Sequence, residues 1–175
     1  MTKFKLLTVV AALVGFVVAG LTTAMAKTYF YDALCDDSYS KQGEIEQDLT
    51  KIKGKPISCN AVVLSFLDNG HILLQFAEKS SHVTPLGFAG SKLDYDLNPN
   101  FVTMPLEKIY LPHSSNPSKA EFISGVEGYC FFDGKLNITN LNVVSCTAKI
   151  EIGTQKLIYK IHAHITSVGK PVPGM

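Results

Sequence analysis

The chain has 175 residues, with 16 lysines and no arginine against 15 acidic residues, so its formal net charge is +1. A near-neutral chain exerts no bulk pull on nucleic acid or an anionic membrane. Without arginine it also lacks the bidentate fork that reads phosphate or guanine, so no nucleic-acid partner is expected.

Residues 1–26 read as an export signal. Lys3 and Lys5 form a positive start, residues 6–21 carry no charge, and Ala24 and Ala26 supply the small side chains that a signal peptidase accepts at −3 and −1. Cleavage after Ala26 leaves Lys27 as the mature N-terminus, with no membrane insertion thereafter. The apolar run is slightly long for such a signal, which keeps an uncleaved anchor as the rival reading. Lipidation at Cys35 is disfavoured because bulky Leu34 precedes it. The remaining 149 residues, with 14 lysines against 15 acids, suit one domain with a substantial core. That domain is placed at 27–168, with a flexible tail at 169–175.

All four cysteines, Cys35, Cys59, Cys130 and Cys146, lie beyond the signal. An even number in an exported chain implies two disulfides, and of the three possible connectivities we favour near neighbours, Cys35–Cys59 and Cys130–Cys146. The spacings are not those of a zinc ribbon or a CxxC redox motif.

Tyr29-Phe30-Tyr31 suggests a short strand. Asp36, Asp37 and Ser40 then offer N-caps for a helix over 41–53, in which Ile45, Leu49 and Ile52 fall at i, i+4 and i+7. Gly54 and Pro56 stop it. Residues 60–79 form a predicted hairpin around Asp68-Asn69-Gly70. With Asn69-Gly70 as a two-residue turn, Leu67 faces Ile72, Phe66 faces Leu73, and Val63 faces Phe76. Both faces of that hairpin are apolar, so both are expected to be covered.

Residues 80–100 are irregular, with strands plausible at 86–89 or 91–95. Residues 101–111, interrupted by Pro105, suggest two short edge strands or a strand and one helical turn. Residues 113–118 read as a surface loop. Residues 121–132 alternate as one strand running to an Asp133-Gly134 turn, with Gly125 and Gly128 inside it marking a bulge or a close backbone approach. The last hairpin turns at Gly153-Thr154, which sets Ile150 opposite Leu157, Ala148 opposite Tyr159, and Glu151 opposite Lys156.

The sequence therefore predicts an α+β domain. It is mostly antiparallel β, sandwich-like or a curled sheet, with one N-terminal amphipathic helix and two disulfides.

Chemistry-bearing motifs are few. His162 and His164 share one face of a strand, but no third ligand lies at local spacing, and Lys160 stands on their side. Residues 94–98 begin like a calcium loop, yet Pro99 and Pro105 occupy the positions that need Gly and Glu. No Gly-x-Ser-x-Gly elbow and no phosphate-cradling loop occurs, and Ser65 and His71 should face opposite ways. No catalytic, metal or cofactor residues are assigned. The functional expectation is a non-enzymatic, disulfide-stabilised binding protein of the periplasm or extracellular space, whose partner is a protein or envelope component. The alternatives are an accessory subunit of an envelope assembly and, less favoured, a small hydrolase or metal-dependent enzyme.

Overall fold

The structure, a computed structural model, describes residues 27–45, 55–80, 85–95, 101–113, 115–133 and 141–173. The proposed signal lies outside them. Every strand pairing among the described residues is antiparallel.

The chain enters through β1 (Lys27–Cys35), followed by β2 (Lys41–Ile45) and β3 (Lys55–Pro56). Next come β4 (Ala61–Phe66), β5 (Ile72–Ala77), β6 (Leu86–Gly90) and β7 (Asp94–Tyr95). They are followed by β8 (Phe101–Pro105), β9 (Lys108–His113), β10 (Asn116–Ser124) and β11 (Glu127–Asp133). The last are β12 (Val143–Ile152), β13 (Gln155–Ile165) and β14 (Lys170–Pro171).

The main ladder runs β10-β9-β6-β5-β4-β1-β13-β12-β11-β8-β7. β1 divides it in two. Lys27 to Asp32 pair with β4, and Ala33 to Cys35 pair with β13. A second junction lies between β8 and β9, where the Leu106 N–H donates to Gly128 O (3.0 Å) and the next N–H, of Glu107, donates to Ala89 O (2.8 Å). Consecutive residues thus bond to opposite halves. Leu74, Phe88 and Ile109 of the first sheet and Met104, Phe132, Val144 and Ile161 of the second belong to one buried cluster. The two sheets therefore enclose a single apolar core.

The predicted N-terminal helix is overturned. Lys41–Ile45 is a strand, β2, paired with Leu157, Ile158 and Lys160 of β13, and no helix occurs among the described residues. The reason lies in β13, where β1 covers only Ala163 to Ile165 and leaves backbone groups further back unpaired. β2 satisfies them. Gly43 in the first turn of the supposed helix would also have cost about 1 kcal/mol. Residues 46–54, which carry Leu49 and Ile52, lie outside the described residues.

The central hairpin forms, with its register shifted by one residue. Phe66 pairs with Ile72, Leu64 with Leu74, and Val62 with Phe76. Leu67 N–H donates to His71 O (2.8 Å) and Gly70 N–H to Leu67 O (3.0 Å), with Gly70 at φ 80°. The connection is thus a three-residue loop ending in a left-handed glycine, not a two-residue turn. The shift exchanges faces: Val62 and Leu64 join Ile72, Leu74 and Phe76 in the core, while Val63 turns outward.

Residues 121–132 prove to be two strands, β10 and β11, separated at Gly125-Val126, where Gly125 takes φ 72°. The loop over 113–118 is shorter than expected, since His113 pairs with Asn116 before a bulge. β8 and β9 lie inside the ladder, not at its edges. The last hairpin keeps its predicted register, with a Lys156–Glu151 ion pair of 3.0 Å across it. Lys170–Pro171, in the segment read as a flexible tail, pairs with Tyr29 and Phe30 along β1.

Both disulfides are the near-neighbour ones, Cys35–Cys59 and Cys130–Cys146, and the described residues contain no free cysteine. Two disulfides are consistent with an oxidising compartment such as the periplasm or extracellular space.

Candidate functional site

Folding gathers some of the polar side chains. Ser65 is buried, and accepts a hydrogen bond from Thr28 Oγ1 at 3.0 Å. His71 meets Glu107, Nδ1 to Oε2 at 3.3 Å, and the Ser91 hydroxyl donates to the same carboxylate. In this group the carboxylate stands between the hydroxyl and the imidazole, so His71 is not placed to take a proton from Ser91. The contact links the hairpin tip to the β8–β9 corner. Asp94 ion-pairs with Lys92 at 2.7 Å, and residues 96–98 of the calcium-like stretch lie outside the described residues. No group of three or more His, Cys, Asp or Glu side chains suited to a metal occurs among the described residues.

A small cleft of about 170 Å³ lies between Gly125 and the last hairpin, lined in part by Glu127, Lys149, Glu151 and Lys156. Glu127 stands opposite Lys149, and Glu151 opposite Lys156. Its charges thus compensate one another and do not converge on a ligand.

The outward face of the second sheet is different. Leu34 pairs directly with His164 and is 61% exposed. The His164 and His162 rings lie 5.0 Å apart, and Tyr39, 44% exposed, meets His162 edge-on at 5.7 Å. These four side chains form a continuous patch. Across the strands the register continues from His162 to Ser145 and Phe131, and from Lys160 to Thr147 and Tyr129. Phe131 stacks on Phe101 at 5.3 Å. Rings on β11 and β13 thus flank short hydroxyl side chains on β12.

The backbone that carries Tyr39 is tied down at several points. It sits in the turn over residues 36–40, where Asp36 O accepts from Tyr39 N–H (3.1 Å) and Ser40 N–H (2.7 Å), and Asp36 N–H donates to His162 O (2.9 Å). Ser40 is fully buried: its hydroxyl accepts from His162 N–H (3.1 Å) and lies 3.3 Å from His162 O. The Asp36 carboxylate accepts from Ser38 N–H (2.9 Å) and Ser38 Oγ (2.5 Å). Those bonds, the hydroxyl's foremost, hold the carboxyl below its usual range. Cys35–Cys59 closes the start of the turn.

No family model, curated protein or solved structure matches this chain.

Sequence reasoning placed His162 and His164 on one outward face, as found. It did not single out Tyr39, and it read Ser40 as a helix N-cap. No local signal shows that Ser40 will bond to a residue 122 positions away.

Proposed function

We propose that the chain is an exported binding protein that engages a protein or envelope component through Leu34, Tyr39, His162 and His164. The observation that carries this reading is the preorganised exposure of Tyr39. A ring carried on a backbone already fixed by its turn, and resting edge-on against His162, loses less conformational freedom on docking, so more of its contact energy is retained. Exposed leucine and imidazole beside it complete an amphipathic surface, and the disulfides and the signal-like leader support export.

The test is capture of an envelope partner by the immobilised, oxidised protein. A Tyr39→Ala, His164→Ala variant should bind roughly thirtyfold more weakly, the ~2 kcal/mol loss typical of an anchor side chain. Phe122→Ser, which removes a still more exposed ring on the first sheet, should bind like the wild type. If Phe122→Ser loses the partner and the double variant retains it, the proposed surface is the wrong one.

A further inference from the structure

The two disulfides differ in what surrounds them. Cys130 and Cys146 are both fully buried and face each other across β11 and β12. Their outer neighbours, Met104 on β8 and Ile161 on β13, are fully buried as well. A reductant reaches that bond only if the second sheet opens. Cys35, in contrast, is only half buried, at the end of β1. Cys59 lies just under the surface, 7% exposed.

Cys35–Cys59 also closes a small ring. From Cys35 the chain runs through the turn over 36–40 to Ser40, whose carbonyl accepts from Ile57 N–H at 3.0 Å, and Cys59 is two residues further on. The turn that presents Tyr39 is the outer part of this ring. Without the disulfide, Cys35 and Cys59 are joined directly by one backbone bond, Cys35 N–H to Cys59 O at 3.2 Å.

We infer that Cys35–Cys59 is a thiol–disulfide exchange site through which a dithiol reductant loosens the Tyr39 turn while the rest of the fold stays closed. One thiolate of the dithiol attacks Cys35 Sγ, the sulfur of the more exposed residue. The Cys35–Cys59 bond breaks, and Cys59 leaves as a thiolate that takes up a proton. The second thiol of the reductant then attacks the mixed disulfide and releases Cys35. Two electrons pass to the protein, and the reductant is left as a disulfide.

This inference concerns the chain alone, so its failure is separable from failure of the binding surface. The oxidised full chain is titrated with dithiothreitol under native conditions, trapped with an alkylating reagent and mapped by mass. NMR follows the Tyr39, His162 and His164 ring signals in the same samples. Cys35 and Cys59 should be labelled at a reductant concentration at least tenfold below that needed for Cys130 and Cys146. The three ring signals should shift with that first step, and the Phe132 ring and Met104 methyl signals should not. A Cys35→Ser, Cys59→Ser variant that folds should show the shifted signals without reductant. The inference is overturned if Cys130–Cys146 opens first, if both bonds open only on global unfolding, or if Cys35–Cys59 opens without moving the Tyr39 signal. Should the serine variant not fold, the wild-type titration alone decides.

Discussion

Replacing Cys130 and Cys146 together by alanine should lower the unfolding free energy by about 3–5 kcal/mol. The bond spans 16 residues, and a loop of that length contributes roughly 3 kcal/mol through the entropy it removes from the unfolded chain. Both sulfurs are sealed in the core, so the alanines also lose burial and leave small cavities, which adds about 1 kcal/mol or more. Urea denaturation of the oxidised variant and wild type measures the difference. A loss below 1 kcal/mol would show that the β11–β12 pairing holds without its cross-link.

The second large effect is expected at Gly128. A β-carbon there would lie 2.0 Å from Thr147 O, 3.0 Å from Thr147 C and 3.1 Å from Ala148 Cα, with Gly128 itself at φ 142°. All three are backbone atoms of β12, so relief requires β11 and β12 to move apart. Overpacking of about 1–3 kcal/mol, together with a backbone conformation costing roughly as much again, makes Gly128→Ala lose about 3 kcal/mol or fail to fold. Gly125, three residues earlier, is the control. It has φ 72° with nothing within 4 Å of a built β-carbon, so Gly125→Ala should cost only about 1–2 kcal/mol. Equal losses at the two positions would mean that close approach at Gly128 is not what limits the site.

These two positions show which parts of the fold were legible. Gly128 stood out as a glycine inside an alternating apolar run, and its close approach to β12 is the reason. The β12–β13 hairpin was readable to the residue, because apolar alternation, a two-residue turn and the Glu151–Lys156 pair all select one register. At β4–β5 the same kind of reasoning slipped by one. Asp68-Asn69-Gly70 suits a two- or a three-residue loop, and apolar residues on both faces left alternation unable to decide. The supposed helix failed for a non-local reason: the unpaired stretch of β13 that recruits β2 lies more than a hundred residues away in sequence. The candidate surface shares that difficulty. His162 and His164 were visible as a pair, whereas Tyr39 becomes part of the patch only through Ser40 and Asp36, which bond to the backbone of His162. The Ser91, Glu107 and His71 group was likewise invisible, because its members come from three separate segments.

The proposed Leu34, Tyr39, His162 and His164 face should meet a partner where the protein resides. Photo-crosslinking in intact envelopes tests it most directly, with a photoreactive phenylalanine analogue placed at position 39 or, separately, at position 122. A discrete higher-mass adduct is expected from position 39, lost with His164→Ala, and none from position 122. An adduct from position 122 with none from position 39 would contradict the proposal.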